Sequence, residues 1–140
     1  MKKIASLAAV CAAALGGLAP LPAAAGKYDG SAPLICAVVV VHECAAGEVC
    51  QPRTAESVNF APRIRVDAKG KRVQNLETDK DRNKSSPIQN LAHQNGKLIL
   101  TGAEFERGWI VVIHEDTGRL SGASSGDGDG FVIFGQCALQ

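Results

Sequence analysis

Four short apolar runs crowd the stretch from Gly96 to Cys137: GKLILTGAEF, RGWIVVIHED, TGRLSGASS and GFVIFGQC. Turn formers separate them. Asn95-Gly96 opens the stretch, Glu106-Arg107-Gly108 and Asp116-Thr117-Gly118 cut it, and Gly126 to Gly130 makes the last bend. Alternating runs this short, broken by Gly, Asn and Asp, predict antiparallel strands rather than helices. Asn-Gly between two such runs is a strong hairpin signal, because both turn positions need a left-handed backbone. The rest of the chain must therefore supply strands that complete this sheet.

Taken in order, the chain opens with a basic Met1-Lys2-Lys3 and an apolar, Ala-rich run from Ile4 to Leu18. Leu21-Pro22-Ala23-Ala24-Ala25 then offers the small residues that a signal peptidase needs. Residues 1–25 read as a cleaved signal peptide and 26–140 as a single β domain, periplasmic or secreted. Cys11 lies inside the leader and is lost with it. No further run of about 20 apolar residues is present, so no membrane span is expected.

Gly26 to Pro33 is a short polar arm. Leu34 to His42 (LICAVVVVH) is a continuous β-branched run and predicts a central strand buried on both faces. A loop from Glu43 to Ala55 follows. Ser57 to Asp67 predicts a strand that Pro62 must break or push to an edge. Lys71 to Glu77 and Pro87 to Gln94 are weaker strands on either side of the polar loop Thr78 to Ser86. With the four C-terminal runs, this predicts an all-β fold, a small antiparallel meander of about eight strands, as a closed or flattened barrel.

Export permits disulfides, and four cysteines remain after the leader. In a closed meander the first and last strands are antiparallel neighbours. That brings Cys36, near the start of the first, beside Cys137, near the end of the last. Cys44 and Cys50 flank a short loop and are close enough for a local bridge. Of the three possible pairings, Cys36–Cys137 with Cys44–Cys50 needs no unusual topology.

Constellations that carry chemistry are scarce. No CxxC pair or Cys/His cluster at zinc-finger spacing occurs, so no metal and no cofactor is expected. His42-Glu43 and His114-Glu115 invite a metal-assisted hydrolase, but adjacent strand residues point to opposite faces. Polar residues at strand ends, with His93 beside a turn, are the simpler reading. Asp127-Gly128-Asp129-Gly130 looks like half a calcium loop, yet Phe131 and Val132 follow where oxygen ligands belong. A Gly/Asp hairpin turn accounts for it. Ser121, Ser124 and Ser125 lack a G-x-S-x-G elbow. No catalytic residue is assigned, and the chain is expected not to be an enzyme. Trp109, the single tryptophan, either fills the core or lines a ligand cavity.

Without Lys2 and Lys3, 13 of the 15 Lys/Arg stand against 14 Asp/Glu. The basic excess between Arg63 and Lys84 is interleaved with acids and has no aromatics for base stacking, so nucleic acid is not an expected partner. The motifs YDGSAPLICA, HECAAGEVC, AESVN, NGKLILTG, RGW, EDTG and GFVIFGQC resemble a family of small exported proteobacterial proteins with no established activity. That resemblance implies export and a small β fold and carries no site residue. By architecture alone the chain is also similar to periplasmic lysozyme-inhibitor barrels, although Ser121-Gly122 has no Tyr nearby as their motif does. The expected function is non-enzymatic binding of a small apolar ligand. The alternative is an interaction with an envelope protein, or inhibition of one, through exposed loops such as Cys44–Cys50.

Overall fold

The computed structural model describes residues 26–76 and 84–140. The expected leader, residues 1–25, and most of the polar middle loop lie outside the described residues. Among the described residues ten antiparallel strands form one sheet: β1 (Leu34–Ala45), β2 (Gln51–Arg53), β3 (Arg63–Asp67), β4 (Arg72–Asn75), β5 (Ser85–Pro87), β6 (Asn90–Gln94), β7 (Lys97–Glu104), β8 (Arg107–His114), β9 (Arg119–Ser125) and β10 (Asp129–Leu139). Two three-residue strands, β2 and β5, account for the excess over the eight read from the sequence. Periodicity cannot register so short a run.

The order across the sheet is β5-β4-β3-β1-β10-β9-β8-β7-β6, with β2 paired to β1. Its two ends, β5 and β6, are consecutive in the chain, so the sheet must curl back on itself. The Gln89 amide donates to the Thr101 carbonyl at 2.8 Å, tying the β5–β6 connection to β7. The result is the meander expected from the sequence, curled into a barrel-like sheet. Asn95 and Gly96, at φ 50° and 69°, make the tight turn between β6 and β7.

β1 and β10 are the longest strands and pair with each other, and Cys36 stands directly opposite Cys137. The register shifts between Val38 and Val40, leaving Val39 as an extra residue. This bulge resolves the apolar run differently from the expectation of a strand buried on both faces. Leu34, Cys36 and Val38 face inward before it and Val41 after it, while Val39 is 74% exposed. An inserted residue reverses the alternation, so valine runs on without a second buried face. Pro62 breaks the strand expected over Ser57–Asp67: only Arg63–Asp67 is strand (β3), and its first half is instead a 3-10 turn at Glu56–Val58 and an irregular approach to Pro62. The Pro62 carbonyl accepts from the Val38 amide at 2.8 Å, just at the bulge.

Inside the curl, Leu34, Cys36, Val66, Leu98, Leu100 and Ile113 are the largest fully buried side chains. They come from β1, β3, β7 and β8 and fill one end of the sheet. The arm before β1 covers that end: the Tyr28 amide donates to the Glu115 carbonyl at 2.7 Å, and Gly30 lies against Ala68 and Leu98. Among the described residues no helix is long and apolar enough to cross a membrane.

Candidate functional site

Among the described residues the other end of the curl is not filled. A cavity of about 390 Å3 opens there, walled by β3, β4, β8 and β10 and by the turn before β3. Its apolar wall is built from Val58, Phe60, Ile64, Val73, Trp109 and Phe131. The alternation that buries Ile113 at the packed end and Val111 between the two carries Trp109 inward at the open end of the same strand. Trp109 packs against the core yet remains half-buried. It is both core and cavity wall, not one of the two.

A glycine makes that position possible. Gly102 is the cross-strand partner of Trp109, and the indole lies over it. A Cβ on Gly102 would fall well under 3.0 Å from the indole and from the Pro87 carbonyl oxygen. The bare backbone thus admits the ring and lets β5 approach β7. Because Trp109 is only half-buried, Trp109→Ala is expected to destabilise by about 2–3 kcal/mol, below the 3–5 of a fully buried tryptophan. Urea denaturation checks this, and a loss above about 5 kcal/mol would mean that the ring carries the core.

Arg107 stands two residues before Trp109 and lines the same cavity. Its Nη2 donates to Asp129 Oδ1 at 2.5 Å, and its guanidinium lies 5.2 Å from the centre of the Phe131 ring. Both partners of the ion pair are one-third exposed, so the pair itself contributes little to stability, under about 1 kcal/mol. Its effect is positional: it fixes the guanidinium at the cavity wall. Among the described residues Arg65 Nε, Arg107 Nη1 and Trp109 Nε1 are shielded from solvent and find no hydrogen-bond acceptor. Each such orphan donor costs about 1–3 kcal/mol.

The sequence singled out Trp109 but missed Arg107, Asp129, Phe60 and Phe131 as its neighbours. Asp129 and Phe131 lie just beyond the hairpin turn that the Gly/Asp run forms, with Gly128 at φ 82°. One usable signal was the RGW motif, since residues two apart on a strand share a face.

The remaining candidates stand elsewhere. His42 is on β1 opposite Pro52 and Val132, and Glu43 accepts from Arg53 Nε at 2.8 Å. His114 ends β8, and its Nδ1 accepts from the Asp116 amide at 3.4 Å. Glu115 turns to His93 instead, with 2.6 Å between Oε1 and Nδ1. Among the described residues no group of three or more His, Cys, Asp and Glu is placed to hold a metal. Ser124 lines the cavity, while Ser121 pairs with Val112 and Phe134. Asp29, in the covering arm, has its carboxyl held below the ordinary value by hydrogen bonds from the Ser31 side chain and backbone.

Two cysteine pairs lie at disulfide distance, Cys36 with Cys137 and Cys44 with Cys50. The first crosses the β1–β10 seam inside the core, where both residues are buried. The second staples an exposed loop whose Val49 is 81% exposed. No family model, curated protein or solved structure matches the chain, so the likeness to small exported proteins rests on the quoted motifs alone.

Proposed function

We propose that this is a non-enzymatic binding protein of the periplasm or the extracellular space that takes one small, mostly apolar molecule at the Trp109 end of its sheet. The observation that carries this reading is the cavity. At about 390 Å3 it lies within the size range of small-molecule sites, and its wall is apolar with a few polar groups at one side. Among the described residues this apolar wall faces open space, whereas the packed end of the same sheet is filled. The two cysteine pairs support an oxidising compartment.

The second reading, a contact with an envelope protein through the stapled loop, is favoured by exposed Val49 between Cys44 and Cys50. The two separate on one experiment. 1-Aminoanthracene, a neutral apolar dye of a size the cavity can hold, is expected to bind with one site per chain and to quench Trp109. Val73→Phe, which pushes a ring into the cavity from β4, should abolish both effects while the protein stays folded. Dye binding unaffected by Val73→Phe, or absent from the native protein, would rule out the cavity and leave the loop.

A further inference from the structure

Building on the reading of the cavity as a ligand site, we infer that its ligand carries a flat aromatic ring, and that Phe105, at the tip of the β7–β8 hairpin, is one of the side chains that hold it. The chain has four Phe, one Trp and one Tyr. Four of these six, Phe60, Phe105, Trp109 and Phe131, line this one cavity, and none of the four is buried. They reach it from the turn before β3, the β7–β8 tip, β8 and β10, so it is the fold that gathers them. Aromatic pairs attract beyond the area they bury, stacked or edge to face. A wall of four rings therefore favours a flat ring over a saturated skeleton of the same size.

Phe105 is the member of the four that stability does not account for. It is 80% exposed, so the core gains almost nothing from its ring. Phe105 and Glu106 sit at φ 49° and 63°. A two-residue hairpin turn needs that left-handed backbone, and a residue with a Cβ adopts it at a cost. The β6–β7 hairpin of the same chain meets the same need with Asn95-Gly96, at φ 50° and 69°. Turn chemistry thus disfavours Phe105, and core packing does not favour it. What the strained position supplies is an aromatic ring at the cavity wall, open to a ligand without any rearrangement.

Displacement of 1-aminoanthracene by 2-naphthol and by decahydro-2-naphthol tests this. The two share a skeleton and a hydroxyl and differ in whether the rings are flat and aromatic. 2-Naphthol is expected to displace the dye at about tenfold lower concentration. Phe105→Leu keeps an apolar side chain and removes the ring, so it should narrow that gap several-fold by weakening 2-naphthol. The double variant Phe105→Asn/Glu106→Gly gives the turn its preferred residues, so it should melt at a higher temperature than the native chain and yet bind the dye several-fold more weakly. Equal displacement by the two naphthols, a gap that Phe105→Leu leaves unchanged, or a double variant that melts lower or binds the dye as the native chain does, overturns the inference while leaving the cavity reading intact. If the dye fails to bind the native chain, the cavity reading itself falls and this inference with it.

Discussion

Replacing Cys36 and Cys137 together by alanine is expected to lower the melting temperature by roughly 15–20 °C, against less than half of that for the Cys44/Cys50 pair. The first bridge joins residues 101 apart and the second residues 6 apart. Constraining a loop of that greater length removes unfolded-state entropy worth ~4–5 kcal/mol, while the short loop is worth ~2 kcal/mol. The long bridge also sits on the β1–β10 seam, which joins the two ends of the chain and so turns a meander into a curled sheet. Paired alanines keep the seam apolar, so the comparison is not confused by a buried hydroxyl. Equal losses for the two bridges would show that strand pairing alone holds the seam.

The second large effect is expected at Gly135, on the other side of the same seam. Gly135 pairs with Val38 at the bulge, and a Cβ there would lie well under 3.0 Å from the Ala37 carbonyl oxygen. That oxygen belongs to the backbone of the paired strand and has no flexible end to yield. Gly135→Ala should therefore cost about 3 kcal/mol or roughly 10 °C, more than a typical surface change. Thermal unfolding of the oxidised protein gives the answer. A melting temperature within about 2 °C of the native value would mean that the bulge relaxes at little cost.

These two effects also mark what the sequence could and could not say. The pairing of the first strand with the last followed from closure of a meander, and Asn95-Gly96 and the Gly/Asp run placed their turns directly. The bulge at Val39 was hidden, because four consecutive valines fit a strand buried on both faces as well as one with an inserted residue. Nothing local distinguishes them; only the partner strand, where Gly135 leaves room, does. The same holds for the site. Trp109 was conspicuous as the single tryptophan, but the groups around it come from the turn before β3, from β4 and from β10, far away in the chain. Whether a half-barrel is filled or hollow depends on the sum of inward volumes at one level, and no single run of residues carries that sum. Among the described residues Val58, Phe60 and Val73 leave the Trp109 end open, whereas Leu34, Val66, Leu98 and Ile113 close the other.

Native mass spectrometry of the disulfide-bonded chain, purified without denaturation, tests the cavity most directly. The account predicts a complex with one small, mostly apolar molecule of on the order of a dozen non-hydrogen atoms, at ~30 Å3 for each water-sized group, which disappears in Val73→Phe. A bare chain that also fails to take up any neutral apolar compound, in native protein and Val73→Phe alike, would contradict it.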